Sequence, residues 1–272
     1  MVKVNHALSI FNEPDVFRKI AKLRKYSTEI LEQDQANTLD SGFMPARDAE
    51  MVHPKFHPAK PGFSTALGQA RMLHDLASIE LQAMELGLRT LTEFADAPLA
   101  FKEELLQITL SESVHLEMCL MEIEKLGSKW GDWPVHQSLF RATSEKDSLL
   151  DRILIVHRYL EGSGLDAGDT LFRRLALIDC ASVKKAVQQI TTDEIGHVEF
   201  GSRWYRKICD LNKIDPNIDF SERMDKLMVQ LPQRLEPVAV DLRRLAGFSE
   251  EEIIYLQELR LRKLGPQQQP AR

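Results

Sequence analysis

The chain has 272 residues, of which 43% are hydrophobic and 28% charged, and its formal net charge is −6 at pH 7. This composition fits an ordinary globular protein of one large or two small domains, and the negative charge argues against nucleic-acid binding through overall charge. The three cysteines lack CxxC spacing, and no long apolar run occurs. We therefore expect reduced thiols, a cytoplasmic location, and neither a signal peptide nor a membrane span.

Residues 1–64 are predicted to form an N-terminal arm that packs on the rest of the chain. Residues 16–33 have helical periodicity, and the prolines at positions 45, 54, 58 and 61 then exclude long helices. His53 and His57 each precede a proline, which disfavours a shared helix and a metal site there. A basic cluster predicts a solvated helix face, with an anionic partner as the alternative: Arg18, Lys19, Lys22, Arg24 and Lys25.

Two long helices follow the arm, at about residues 65–94 and 99–126. The first ends before Ala97-Pro98, and the second stops at Gly127, a residue type favoured just beyond a helix end. Because the connection between them is short, we expect the two helices to be antiparallel neighbours. Residues 127 to about 146 have no regular pattern, which fits the long crossover of a ferritin-type bundle.

The second half of the chain predicts another long pair of helices and a helical C-terminal region. The third helix starts near Asp147 or Ser148, and glycines at 162, 164 and 168 predict a local break or a close backbone approach. A continuation at about 170–177 leads into a fourth helix at about 180–211. Two or three further helices follow residue 219, the last opened by a capping box at Ser249–Glu252, and residues 265–272 are expected to fray.

The most informative motif is Glu-x-x-His, which occurs twice. Glu194 and His197 lie one turn apart on one face of the fourth helix, and Glu112 and His115 repeat the arrangement on the second. Both pairs interrupt stripes of apolar residues, so the structure is expected to bury them. A carboxylate and an imidazole are costly to bury without a partner. A metal ion is the partner that these residue types indicate.

Two other helices each carry one glutamate on an apolar stripe, Glu80 on the first and Glu161 on the third. Glu80 precedes Glu112 by 32 residues, and Glu161 precedes Glu194 by 33. Two hairpins of matching length would bring six ligands together in the dinuclear pattern of ferritin-like proteins, and four carboxylates balance two divalent cations. We predict an all-α, ferritin-like four-helix bundle over residues 65–213 with one long crossover, followed by C-terminal helices and a tail over residues 214–272.

The chain resembles the ferritin-like diiron-carboxylate superfamily, and within it a bacterial branch with a proline-rich N-terminal arm. The resemblance covers about residues 60–215 and includes LHDLASIELQAMEL, the loop LGSKWGDWPVH, a GLD turn after the third-helix glutamate, and DEIGHVEFG. Two positions depart from the branch. Its usual Glu-Ala-Arg-Gly is here Glu161-Gly162-Ser163-Gly164, and His157 stands where an apolar residue is common. Both departures lie near the predicted metal site.

Hairpin geometry divides the predicted ligands between two metal ions. One ion is bound by Glu80 and His115, the other by Glu161 and His197, and both are bridged by Glu112 and Glu194. Mixed oxygen and nitrogen ligation with open positions suits two Fe(II) ions, with Mn(II) as the alternative.

Several neighbouring side chains have less definite roles. Asp193 is a candidate partner for the second nitrogen of a ligating histidine, with a surface position as the alternative. His157 is a seventh ligand, a proton relay, or a core histidine with one hydrogen bond. His74 and Cys119 are disfavoured as ligands. The crossover residues Trp130, Trp133 and His136 either cap a pocket or anchor their loop.

The leading functional hypothesis is an oxygen-dependent diiron oxidoreductase that hydroxylates or oxidises an organic substrate. The arm, the irregular crossover and the C-terminal helices exceed what a minimal bundle needs, and such additions shape a pocket or exclude water. The alternative is a ferroxidase, iron-binding or peroxide-scavenging protein, and a third option is an interaction protein with a vestigial site. Expected partners are dioxygen, a small organic substrate or a tRNA, and an electron donor, with no membrane partner; a homodimer is left open.

Overall fold

The computed structural model describes residues 6–33, 39, 40, 42–233 and 236–264, and the regular structure in these ranges is helical. The described residues form no strand; a single parallel bridge pairs Met51 with Val135. The predicted all-α class is therefore confirmed. No described helix is both long and apolar enough to cross a membrane.

The chain forms two compact units, each described here by itself. The first comprises Met1–Lys146 with Ile178–Ala186, and the second comprises Asp147–Leu177 with Val187–Arg272. The predicted boundaries after residues 64 and 213 stay predictions.

The N-terminal part of the first unit contains three short helices, α1 (His6–Phe11), α2 (Val16–Leu23) and α3 (Thr28–Gln33). The helical pattern of residues 16–33 thus belongs to two helices separated by a turn. The predicted solvated basic face is wrong for Lys19, which is 1% exposed. Its Nζ donates to Glu85 Oε1 at 2.6 Å and to the carbonyl of Ala46 at 2.8 Å, and Arg47 also pairs with Glu85. Two cations therefore compensate one fully buried carboxylate.

The helical hairpin of the first unit consists of α4 (Ala66–Glu93) and α5 (Leu99–Lys125), within one residue of the predicted spans. Thr65 caps α4 by accepting a hydrogen bond from the amide of Gly68 at 3.1 Å. Beyond α5, Gly127 has φ +80°, as its residue type predicts. At Gly87 the helices approach so closely that a Cβ atom would clash with Thr109. The following crossover is irregular apart from one 3₁₀ turn, Phe140–Ala142.

The second unit begins with an interrupted helix. Ser148 and Asp151 form a capping box that opens α6 (Leu149–Ile153). A π-helical segment, Leu154–Leu160, comes next, and α7 runs without a break over Glu161–Leu175. The predicted break at the glycines is therefore wrong, because the irregularity lies one turn earlier.

The alternative prediction for the glycines, a close approach, is confirmed at two positions. The helix α8 (Ala181–Leu211) brings Thr191 against Gly168, where a Cβ atom would lie 2.5 Å from Thr191 Oγ1. At Gly162 a Cβ atom would lie 2.9 Å from Cζ of Arg243. Each glycine is thus required by a neighbour and does not interrupt the helix.

The C-terminal region forms α9 (Pro216–Leu227), α10 (Val240–Leu245) and α11 (Glu250–Leu264). The predicted capping box is confirmed: the amide of Ser249 donates to Glu252 Oε2 at 2.8 Å, and the amide of Glu252 donates to Ser249 Oγ at 3.2 Å. The predicted frayed tail lies outside the described residues.

Replacing either of two glycines in α7 by alanine is expected to change the free energy of unfolding, in opposite directions at the two positions. Gly164→Ala adds a Cβ atom where no atom lies within 4 Å, so we expect it to raise the free energy of unfolding by about 0.5–1 kcal/mol. Gly162→Ala would push Arg243 from Asp166, to which its Nη2 donates at 2.6 Å. We expect a net loss of about 1–3 kcal/mol. Urea unfolding measures the free energy of unfolding of both variants. If the two substitutions change it equally and in the same direction, the close packing of Arg243 on Gly162 is contradicted.

Candidate metal centre

The first unit contributes three buried side chains from α4 and α5. Glu112 and His115 project from one face of α5 because they are three residues apart. Glu80 reaches the same position from α4. His115 Nδ1 lies 3.4 Å from Glu80 Oε2 and 3.4 Å from Glu112 Oε2. All three residues are at most 4% exposed.

The second unit contributes two acidic residues and two histidines. Glu194 and His197 repeat the three-residue spacing on α8, with His197 Nδ1 3.3 Å from Glu194 Oε1. Glu161 is the first residue of α7, directly after the π-helical segment. His157, inside that segment, places its Nδ1 2.9 and 2.8 Å from the two oxygens of Glu161.

Four of these residues form a group that could bind a metal ion. Glu112, His115, Glu194 and His197 are all buried, and each offers one potential ligand atom such that the four atoms lie within 4.8 Å of one another. Carboxylate oxygens with imidazole nitrogens suit iron, manganese or zinc. The donor set therefore fits a divalent metal. Direct ligation by Glu80 and Glu161, which pair with His115 and His157, stays a prediction.

His157 is held in one position by contacts on three sides. Its Nδ1 bonds to Glu161, and its ring meets Phe200 edge-on with centroids 5.1 Å apart. Gly201 makes room for it, since a Cβ atom there would lie 2.5 Å from His157 Cβ. Its Nε2 is buried without a hydrogen-bond partner among the described residues. The observed contacts orient Glu161; ligation or proton transfer through Nε2 stays a prediction.

Asp193 and Cys119 occupy positions beside the group. Gln189, one turn earlier on α8, donates to both Asp193 oxygens at 2.9 and 3.0 Å. The role of Asp193 toward a ligating histidine stays a prediction. Burial and then the nearby Glu80 carboxylate raise the pKa of the Cys119 thiol well above its ordinary value. The thiol is therefore protonated at neutral pH, as expected for a packed cysteine.

The sequence pattern does not predict two features of the structure. The first is the π-helical segment. Because residues 150–163 are all buried, this part of the chain has no alternation of apolar and polar faces in which a shift of one residue could be seen. Buried Arg71 on α4 contacts His57 of the arm. Its position one turn before another buried polar residue, His74, is the signal that could have drawn attention to it.

A family model described as "Protein of unknown function (DUF455)" matches residues 12–254, which is most of the chain. A Haemophilus influenzae protein named "Uncharacterized protein" is 30% identical over 217 residues, covering 77% of this chain and 74% of the relative. No solved structure matches the chain. The match to the family model extends through the arm, both Glu-x-x-His motifs and the C-terminal helices, and the chain therefore belongs to the DUF455 family.

Proposed function

We propose that the protein is a dinuclear-iron oxidoreductase that activates dioxygen to hydroxylate or oxidise an organic substrate. The observation that carries this proposal is the buried group of two glutamates and two histidines whose ligand atoms lie within 4.8 Å of one another. A ferritin-like arrangement of α4, α5, the α6–α7 region and α8 belongs to the same proposal, as does ligation by Glu80 and Glu161.

In this proposal the side chains hold two ions in a water-poor environment. Glu112 and Glu194 would be shared by both ions, and His115 and His197 would each hold one ion, beside Glu80 and Glu161 respectively. Bound iron supplies the electron-transfer chemistry that reduction of dioxygen requires. His157 donates its Nδ1 hydrogen to Glu161 and fixes the direction of that carboxylate, as outer partners of metal ligands do.

A hydroxylation by dioxygen consumes fixed numbers of electrons and protons. One substrate C–H bond, one dioxygen molecule, two electrons and two protons yield an alcohol and one water molecule. The substrate supplies two of the four electrons that dioxygen accepts in this reaction, so a separate electron donor must deliver the other two. An oxidation that removes two electrons and two protons from the substrate and releases hydrogen peroxide would not need that donor.

The arm and the C-terminal helices support an organic substrate over simple iron handling. Buried ion pairs fix both regions: Lys19 joins α2 to Glu85 of α4, and Glu252 joins α11 to Arg158. A storage protein would have no use for these additions, whereas a substrate pocket requires walls that exclude water.

A small molecule is favoured over tRNA as the substrate. Two residues that could have formed a basic surface are buried in ion pairs, Lys19 with Glu85 and Arg243 with Asp166. Arg244 is also paired, with Glu250 at 2.6 Å. These three basic residues therefore contribute less free positive charge than the sequence suggests.

The test uses the full chain reconstituted with Fe(II) without oxygen. On mixing with oxygenated buffer, the protein alone should consume dioxygen slowly, and faster with fractions of a metabolite extract. Without reductant, uptake should stop near one turnover per site for a hydroxylation and should continue for an oxidation that releases hydrogen peroxide. Glu117→Ala, on the exposed face of α5, serves as a matched control and should behave as wild type.

The competing ferroxidase or iron-storage function gives a different result. Such a protein would oxidise many equivalents of added Fe(II) per chain and accumulate ferric mineral. Mineral growth would overturn the oxygenase proposal. Rapid consumption of hydrogen peroxide with no response to any metabolite fraction would instead establish the peroxide-scavenging alternative.

A further inference from the structure

A second cluster of buried polar side chains lies at the start of α4. Arg71 and His74, three residues apart on one face of the helix, are 1% and 0% exposed. His57 of the arm approaches them, with Nδ1 3.1 Å from Arg71 Nη2. Trp130 stacks on His74 with ring centroids 4.7 Å apart. The cluster thus joins the proline-rich arm, α4 and the crossover within the first unit.

The hydrogen bonds of this cluster determine which nitrogens carry hydrogen. A guanidinium can only donate, so His57 Nδ1 accepts from Arg71 and His57 Nε2 carries the hydrogen. The backbone amide of Gly131 donates to His74 Nε2 at 3.0 Å, so His74 Nδ1 carries the hydrogen. Burial and then Arg71 lower the pKa of both imidazoles, that of His74 to about 4. Both rings are therefore neutral at pH 7.

Several of these donors have no acceptor. Arg71 Nε, Arg71 Nη1 and His74 Nδ1 are buried without a hydrogen-bond partner among the described residues. The Trp133 ring lies near two of these residues: its centroid is 5.6 Å from Arg71 Cζ and 5.3 Å from the centroid of the His74 ring. Buried donors with no acceptor are rare because each costs desolvation free energy. An acceptor that completes this cluster would recover that free energy.

The chemistry of this cluster suits an anion and not a metal ion. Arg71 is always charged, and both histidines present N–H groups in place of lone pairs. The neighbouring carboxylate, Asp75, is already shared by Arg71 at 3.0 Å and Lys60 at 2.9 Å. Asp132 adds an opposing charge, but it is exposed to solvent, where it is screened. The buried part of the cluster is therefore cationic and rich in donors.

We propose that Arg71, His57 and His74 bind the carboxylate or phosphate group of a small molecule. His57 and Trp133 are half-buried, so the edge of the cluster reaches solvent. Arg71 precedes Glu80 by nine residues, or about 13 Å along α4. The anion site is thus separate from the candidate metal centre, and it does not depend on the proposed oxygenase activity.

The experiment titrates inorganic phosphate and acetate into the full chain and follows tryptophan fluorescence and heat, with chloride as the ionic-strength control. Trp130 and Trp133 contact the cluster, so binding should change their emission saturably. Arg71→Met should weaken the affinity by about 10- to 100-fold, the usual effect of losing a charged hydrogen-bond donor. The tighter of the two anions identifies the source as a phosphate or a carboxylate.

His57→Phe and His53→Phe form a matched pair that does not depend on how Arg71→Met folds. His57→Phe leaves the Arg71–Asp75 pair intact and should lower the affinity, whereas His53 is exposed in the same segment and its replacement should have no effect. The proposal is overturned if phosphate and acetate act on the wild type only as chloride does, or if His57→Phe binds both anions with wild-type affinity.

Discussion

Glu112→Ala and Glu194→Ala are each expected to remove most of the bound iron from the protein. Both residues belong to the buried group and are proposed to bridge the two ions, so each substitution removes a ligand from both. The loss of affinity should exceed the roughly 10- to 100-fold effect of removing an outer hydrogen-bond partner. Iron content after anaerobic reconstitution and desalting measures the result, and wild type should retain close to two ions per chain.

Two glutamates on the same helices provide matched controls. Glu117 on α5 and Glu199 on α8 have side chains 38% and 44% exposed and pair with Arg24 and Arg203. Glu117→Ala and Glu199→Ala should retain iron at the wild-type level. If Glu112→Ala or Glu194→Ala also retains full iron, that residue does not bridge the ions.

Iron binding should also stabilise the fold. A ligand present at 100 times its dissociation constant raises the free energy of unfolding by about 2.7 kcal/mol. Removing the ions also leaves the acidic side chains of the group without their compensating charge. Wild-type protein should therefore gain stability on adding Fe(II) without oxygen, whereas Glu112→Ala should gain little.

The parts of the fold that the sequence predicts well are those with local signals. The ends of α4 and α5 are marked by Thr65 and by Gly127, and these signals act through hydrogen bonds and backbone conformation within a few residues. The Glu-x-x-His motifs are equally local, because a three-residue spacing fixes a common helix face. For this reason all four residues of the buried group are among the six ligands that the sequence predicts.

The features that the sequence does not predict depend on distant partners. Lys19 reads as part of a basic surface, yet its amine is buried because Glu85, 66 residues later, lies beside it. The π-helical segment is buried on all sides, so its sequence lacks the contrast between polar and apolar faces that would reveal a change in helical period. That the C-terminal helices shape a pocket stays a prediction. The structure adds a role that the sequence does not indicate, because Glu252 of α11 pairs with Arg158 in the segment that contains His157.

That support depends on an ion pair inside the second unit. Arg158, the residue after His157, is 1% exposed, and its Nη1 and Nη2 donate to the two oxygens of Glu252 at 2.9 and 2.7 Å. The rings of Phe220 and Phe248 lie 4.8 and 4.4 Å from its Cζ. Burial lowers the pKa of Arg158, and the Glu252 carboxylate opposes that shift. The guanidinium is thus stable in this position only with its partner.

Glu252→Ala is therefore expected to lower the free energy of unfolding by about 3–5 kcal/mol, the cost of leaving a buried charge unpaired. The substitution also removes the acceptor for the amide of Ser249 at the start of α11. Glu251→Ala, at the exposed neighbouring position, should change the free energy of unfolding by no more than about 0.5 kcal/mol. Guanidinium unfolding measures both variants. Because Arg158 adjoins His157, the iron affinity of Glu252→Ala should also fall; a variant as stable as Glu251→Ala would show that α11 does not hold this segment.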